Sequence, residues 1–185
     1  MLNHLGTQTI ETRRLILRKH RMADAEDMFH NWAADPEVSR FWGWEPHRNI
    51  EETKSLLARW AQDSAKPDAY HWIVVLKSAS QAIGYVYLSD LNDVDDSASV
   101  HYALGRKHWG QGLMTEAVNG VLNFAFSQLQ ARRVHSHHHT GNPASGRVLE
   151  KCGMKYIKTG YRQISDCERI SGGYRYYEIM AADWH

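Results

Sequence analysis

Only two cysteines, Cys152 and Cys167, occur in the chain, too few for a disulfide framework, and they point to a reduced, cytoplasmic protein. An excess of charge of either sign is missing too: 22 Lys and Arg stand against 21 Asp and Glu, a formal net charge of +1. That balance gives no broad attraction to nucleic acid or to a membrane surface, and neither is expected as a partner. No apolar run approaches the length of a bilayer span, and the opening MLNHLGTQTIETRR has no signal-peptide h-region. Internal repeats, low-complexity tracts and linker-like stretches are absent as well. With 185 residues, 43% of them hydrophobic, the chain suits one domain over residues 1–185, burying about two-thirds of its unfolded surface. What it has in excess is flat side chains: seven Trp, nine Tyr and twelve His, types that line clefts as well as cores.

Thr9 to Lys19 alternates Leu15 and Leu17 with polar neighbours and reads as a first strand. Asp24 to Ala34 has helical spacing and ends before Pro36, and an aromatic loop follows through Phe41, Trp42 and Trp44. Glu51 to Ala65 is again helical, with Asn49 as N-cap. Tyr70 to Lys77, Ala82 to Leu88 and Ala98 to Leu104 read as strands, the last two joined by the acidic LNDVDDS. A long helix from about Leu113 to Leu129 carries the apolar stripe Val118, Val121, Leu122, Ala125, Phe126 and Leu129. Arg132 to His138 is a strand, and Asn142 to Lys151 a helix closed by Gly153. Met154 to Ile164 and Tyr174 to Ala181 read as closing strands of one α/β domain with a mixed sheet.

The informative stretch is the loop between strand and long helix, Gly105-Arg106-Lys107-His108-Trp109-Gly110-Gln111-Gly112-Leu113. Gly110 and Gly112 let the backbone approach a ligand closely or take positive φ. The helix that follows offers unpaired amides and a positive dipole end, a phosphate site, and Arg106, Lys107 and His108 add charge. The spacing is neither GxxxxGK[ST] nor GxGxxG, since Thr115 stands where a third glycine would be. A left-handed turn before a helix, with no ligand, is the plain alternative.

The order strand, Trp109-Gly110-Gln111-Gly112, then Thr115-Glu116-Ala117, resembles motif A of the GNAT N-acetyltransferase superfamily, most closely its ribosomal-protein N-terminal acetyltransferase (RimJ/RimL-like) branch. The opening ETRRLILRKHRMADAEDMF, the run Asn142-Pro143-Ala144-Ser145-Gly146-Arg147-Val148-Leu149-Glu150-Lys151-Cys152-Gly153-Met154 and the stretch Tyr176 to Trp184 are similar to further parts of that family. The resemblance implies a mixed, largely antiparallel central sheet splayed at the cofactor site and flanked by about four helices. It implies acetyl-CoA as cosubstrate and no metal. Amides from Lys107 through Trp109, Gly110, Gln111 and Gly112 to Leu113 would hold the pyrophosphate, with the Thr115 hydroxyl near a phosphate. The pantetheine arm would lie between the strands at Leu104 and Val134, the Leu104 amide polarising the thioester carbonyl. Asn142 would touch the pantetheine and Ser145 the sulfur, Ser145 serving as acid or proton conduit. Asn142 as N-cap and Ser145 as a first-turn polar residue are the plain readings. Arg147 and Lys151 are solvated helix positions or contacts to the ribose phosphate.

The general base has no secure match. His101, on the strand entering the glycine loop, is the candidate beside its reading as a core histidine; Glu45, Glu168 and Glu178 are further options. Phe41, Trp42 and Trp44 would wall the acceptor pocket or plug the core. His135, His137 and His139 alternate on one strand, a polar face or cleft lining rather than a metal site. Cys152 reads as the buried end of a helix, not a nucleophile. The implied reaction is direct acetyl transfer, in a ternary complex, to the N-terminal α-amine of a protein such as a ribosomal protein. The alternatives are a small-molecule amine, a polyamine or aminoglycoside, a catalytically silent CoA-binding regulator and a His-rich metal-binding protein. A homodimer is a further expectation.

Overall fold

The opening segment, expected as one strand, folds back on itself: β1 (Ile10–Glu11) and β2 (Leu15–Arg18) pair antiparallel, Ile10 opposite Leu17. Thr12 makes the turn, its amide donating to the Leu15 carbonyl at 3.0 Å and its hydroxyl accepting the Leu15 amide at 3.1 Å. Such side-chain bonding competes with a continuous strand. The computed structural model describes residues 1–64, 66–162 and 172–184.

Helix α1 (Ala25–Met28) widens into a π turn over Phe29–Ala33 that buries Asn31 and Trp32. Asn31 Nδ2 donates to the Ala82 carbonyl at 2.7 Å, tying that turn to the sheet. Pro36 ends the first helical stretch and also starts a second, α2 (Pro36–Ser39), whose cap Asp35 accepts the Glu37 amide at 3.0 Å. Proline suits a first turn, where its missing N–H has no partner to lose. In α3 (Ile50–Asp63) the cap is Asn49, accepting the Glu52 amide at 3.1 Å, as its sequence indicated.

The remaining elements are β3 (Tyr70–Leu76), β4 (Gln81–Asn92), β5 (Ser97–Leu104), α4 (Leu113–Ser127), β6 (Arg133–His139), α5 (Pro143–Lys151), β7 (Lys155–Arg162) and β8 (Gly172–Met180). Strand β4 runs on to Asn92, through the first two residues of the expected acidic link, because its pairing with β5 resumes at Asn92–Ser97 after a bulge. The architecture is α/β: among the described residues eight strands run in the order β1-β2-β3-β4-β5-β6-β8-β7, with five helices in place of about four, α2 being the addition. Among the described strands only β5 and β6 pair in parallel. No described helix is long and apolar enough to cross a membrane.

Helices α4 and α5 cover one sheet face, and α1 and α3 the other. Strand alternation sorts the side chains: Ala98, Val100 and Leu104 of β5 meet the α4 side, and Ala103 the α1 side. Val118, Val121, Leu122 and Ala125 of the α4 stripe are fully buried. Each such Val or Leu stabilises the fold by about 1.5–3 kcal/mol relative to exposure. Phe126 is only partly buried, at the margin against Trp184.

The parallel ladder lasts three residues, Ser97, Ala98 and Ser99 facing Arg133, Val134 and His135, and the strands then part. At the branch Ser136 Oγ donates to the Val100 carbonyl at 2.7 Å, a side-chain bond where the ladder would have supplied an amide. The sheet therefore opens a gap that faces the glycine loop at the end of β5.

Candidate active site

Gly110 and Gly112 sit at φ of +73° and +72°, a region only glycine enters without strain. Gly112 caps α4, so the first amides of that helix, from Leu113 on, lack helical partners and point out of its end. A Cβ built on Gly110 would meet nothing within 4 Å, so the backbone there borders open space. The loop is held from outside. Arg14 Nη1 donates to the Gln111 carbonyl at 3.0 Å, while the Arg14 amide and Nε donate to the Glu116 carboxylate at 2.7 and 2.6 Å. Thr12 Oγ1 adds a third bond to Glu116 at 2.6 Å. Burial would raise the Glu116 carboxyl, but the Thr12 and Arg14 bonds outweigh it and leave it below the usual carboxylate range. This brace is absent from the sequence reading; the signal for it was a Thr and an Arg flanking a turn that packs on the first turn of α4.

Two loop side chains brace the loop from within. Gln111 Nε2 donates to the Lys107 carbonyl at 3.0 Å, and Trp109 Nε1 to the Leu104 carbonyl at 2.7 Å. Trp109, Gly110 and Gly112 line the cleft, with Leu113 and Thr115 beyond them; Lys107 and Gln111 do not. The positive charge expected here is smaller than its residue count. Arg106 pairs with Asp35 at 3.0 Å, and burial, then the charge of Lys107, holds the His108 imidazole below its ordinary range. The cations that do line the cleft are Arg147 and Lys151 of α5.

The cleft, about 570 Å³, passes through the gap between β5 and β6. The Gly105 amide donates to Ile83 on β4 at 2.8 Å, so strand alternation turns the amide of Leu104 toward the gap. Asn142 caps α5, its Oδ1 accepting the Ser145 amide at 3.3 Å, and both residues line the cleft. Beneath Ser145 lies Tyr102, a residue the sequence reading did not single out. Its hydroxyl donates to the Ser145 carbonyl at 2.8 Å and lies 3.0 Å from Ser145 Oγ. Burial raises the Tyr102 phenol far above its ordinary value, so it keeps its proton. Cys152 packs behind α5, its thiol pushed by burial up to about 12 and donating to the Thr115 carbonyl at 3.6 Å. It is no nucleophile at neutral pH.

On the α1 side of the sheet the cleft is walled by rings. Tyr87 stacks on His101 at 4.9 Å, its partner in register, and His101 meets His137 edge-on at 5.4 Å across the gap. His137 meets Tyr174 at 5.5 Å, Tyr174 meets His139 at 5.4 Å, and His139 stacks on Phe41 at 5.4 Å. Trp42 tilts against Tyr87 at 6.4 Å, so the series ends on two residues adjacent in the chain. Trp44 does not line the cleft; its ring lies 6.0 Å from that of His47. His101 Nε2 is 2.9 Å from Ser99 Oγ. Of the histidines alternating on β6, His137 and His139 line the cleft and His135 does not. No group of three or more His, Cys, Asp or Glu that could hold a metal occurs among the described residues. The carboxylates lining the cleft are Glu37 and Asp90, both exposed. Glu45 is not among the lining residues, Glu178 pairs with Arg133 at 3.7 Å, and Glu168, like Cys167, lies outside the described residues.

Known proteins share this arrangement. The chain is 30% identical over 146 residues to the uncharacterized N-acetyltransferase YoaA of Bacillus subtilis, covering 79% of this chain and 82% of that one. Its fold is similar to a GCN5-related N-acetyltransferase from Brucella melitensis, with a TM-score of 0.85 at 15% identity over 99% of this chain and 83% of that one. It is also similar to spermidine N-acetyltransferase from Vibrio cholerae in complex with CoA and spermine, with a TM-score of 0.75 at 20% identity over 93% and 98% of the two chains. Residues 14–155 match the family described as Acetyltransferase (GNAT) domain. A splayed sheet with a glycine loop at its open end, and a family match over most of the chain, make this protein a member of the GNAT acetyltransferase family.

Proposed function

We propose that this acetyl-CoA-dependent acyltransferase acetylates the N-terminal α-amine of a peptide or protein, a ribosomal protein being one such acceptor, by direct attack in a ternary complex. The observation that carries it is the chemistry of the acceptor side among the described residues: imidazoles and aromatic rings, with the carboxylates Glu37 and Asp90 at the exposed rim. A polyamine or aminoglycoside would bring several ammonium groups, each favouring a carboxylate partner. An α-amine with pKa near 7.7–8.0 needs only a weak base near neutrality.

The residues present suit acetyl-CoA, which supplies an activated acetyl group on a thiol leaving group. The open space before Gly110, the free end of α4 and the parted strands fit a pyrophosphate followed by a narrow arm. Backbone amides around Gly110, Gly112 and Leu113 hold the phosphates, and the Thr115 hydroxyl approaches them. Asn142 fixes the start of α5 and with it the position of Ser145. The Leu104 amide, turned into the gap, stabilises negative charge developing on the acetyl oxygen. As the nitrogen–carbon bond forms and the carbon–sulfur bond breaks, one proton leaves the amine and one reaches sulfur. His101 receives the first, directly or through water; Ser145 passes the second, with Tyr102 held against its hydroxyl. Because a thiol has pKa near 8.5, protonating sulfur asks little of a serine. Holding the substrates together in the gap supplies much of the acceleration.

The test is thiol release from acetyl-CoA with a free-amine peptide, spermidine and an aminoglycoside at equal concentration. The peptide is expected to turn over fastest. Faster turnover of either small molecule would overturn the acceptor assignment.

A further inference from the structure

The ring series on the acceptor side is more specific than an apolar wall. From Trp42 it passes through Tyr87, His101 and His137, then through Tyr174 and His139 to Phe41. Every neighbouring pair of centroids lies between 4.9 and 6.4 Å. The sequence builds it by strand register. Tyr87 faces His101 across β4 and β5, and His139 faces Tyr174 across β6 and β8. His101 and His137 are the belt rings that meet across the gap itself. The rings thus surround the acceptor end of the cleft, on the sheet face opposite the helix that carries Ser145.

We propose that this belt reads the group next to the acceptor amine, and that the group is a flat aromatic ring. The inference rests on acetyl transfer to an α-amine and adds the first residue: an acceptor beginning with Phe, Tyr or Trp. Ring faces and edges attract another ring through offset stacking and edge-to-face contact. They also tolerate one ammonium beside it. An aliphatic first residue would gain less from ring faces and edges than a flat ring would, and among the described lining residues a polycation would meet only the exposed carboxylates Glu37 and Asp90. Arg147 and Lys151, the lining cations, stand on α5, and the cation at the belt is Arg40, whose guanidinium lies 5.3 Å over the terminal Phe41 ring.

The experiment measures kcat/KM by thiol release, and locates the acetyl group by tandem mass spectrometry, for peptides differing only in a first Phe or Ala. Phenethylamine and spermidine complete the panel. The Phe peptide is expected to exceed the Ala peptide by about tenfold or more, the discrimination a filled hydrophobic pocket gives. Tyr174→Leu, which keeps apolar volume but removes a ring face, should shrink that ratio, and Phe41→Leu gives a second reading should the first variant fold poorly. An unchanged ratio in both folded variants overturns the assignment to the belt. An Ala peptide acetylated at its α-amine as fast as the Phe peptide overturns the ring inference and leaves the α-amine reading standing. Turnover of phenethylamine with both peptides inert supports the ring and overturns the peptide acceptor. Spermidine as the fastest acceptor overturns both.

Discussion

Gly110→Val separates the cost of a bent backbone from the cost of a filled cradle. At φ of +73° a residue with a side chain bears a left-handed penalty of about 1–2 kcal/mol. For a chain of this size that lowers Tm by roughly 2–8 °C without unfolding the protein. The new Cβ meets no neighbour within 4 Å, so no steric clash adds to this strain. The space it enters is the space assigned to the pyrophosphate. Losing two charge-assisted amide bonds, at about 1.5–3 kcal/mol each, comes to at least ~3 kcal/mol, about a hundredfold in affinity. Gly110→Ala bears similar backbone strain but fills less of the cleft, so it should lose less affinity at a comparable Tm. Calorimetric titration with acetyl-CoA, alongside circular dichroism melts, measures both effects. A folded valine variant that binds acetyl-CoA as tightly as the parent would refute the cradle.

Other outcomes follow from the same geometry. Ser145→Ala should lower kcat about tenfold with acetyl-CoA affinity within a few-fold, and Tyr102→Phe should lower kcat by a smaller factor; steady-state kinetics at saturating acetyl-CoA decides. Unchanged kcat with a lower melting temperature in both would make the pair structural. Arg14→Ala releases the Gln111 carbonyl and unpairs Glu116, so KM for acetyl-CoA should rise several-fold while Tm falls. The His71 ring, enclosed by Trp60, Tyr85 and Tyr87, is pushed down to about 3 by burial and then by His20. An unfolded histidine protonates near 6.5, so below that pH the unfolded state binds the extra proton and stability falls as pH drops toward 3. The slope from this group is at most about 1.4 kcal/mol per pH unit, and denaturant melts of His71→Phe should show a shallower acid dependence.

Periodicity made α3, α4 and the sheet strands legible, because each buries one regular face. It failed where a local bond overrode the pattern: Thr12 cutting one strand into β1 and β2, and Pro36 starting α2. The glycine loop was readable because Gly110 and Gly112 are needed for positive φ, a requirement written in residue type. Tyr102 and Arg14 were not readable. Tyr102 meets Ser145 43 positions away, and Arg14 meets Glu116 across 102, distances that only the assembled sheet closes. Trp44 shows the limit from the other side: the family resemblance offered three aromatic wall residues, and only side-chain direction separates Phe41 and Trp42 from it. The loop cations illustrate the same point, since Arg106 is engaged by Asp35 and His108 is desolvated.

The most direct test of the account compares a peptide with a free α-amine and its N-terminally blocked, lysine-containing counterpart across a range of pH. At pH 7.5 roughly a quarter to two-fifths of α-amines are neutral, against about one lysine in a thousand. Deprotonating lysine there costs about 4 kcal/mol, and an α-amine well under 1, so the imidazole proposed as base suits the α-amine. The account predicts higher kcat/KM for the free-amine peptide, with the acetyl group on its terminal nitrogen and the advantage shrinking as pH rises toward 10. Faster turnover of the blocked peptide at pH 7.5 would contradict it.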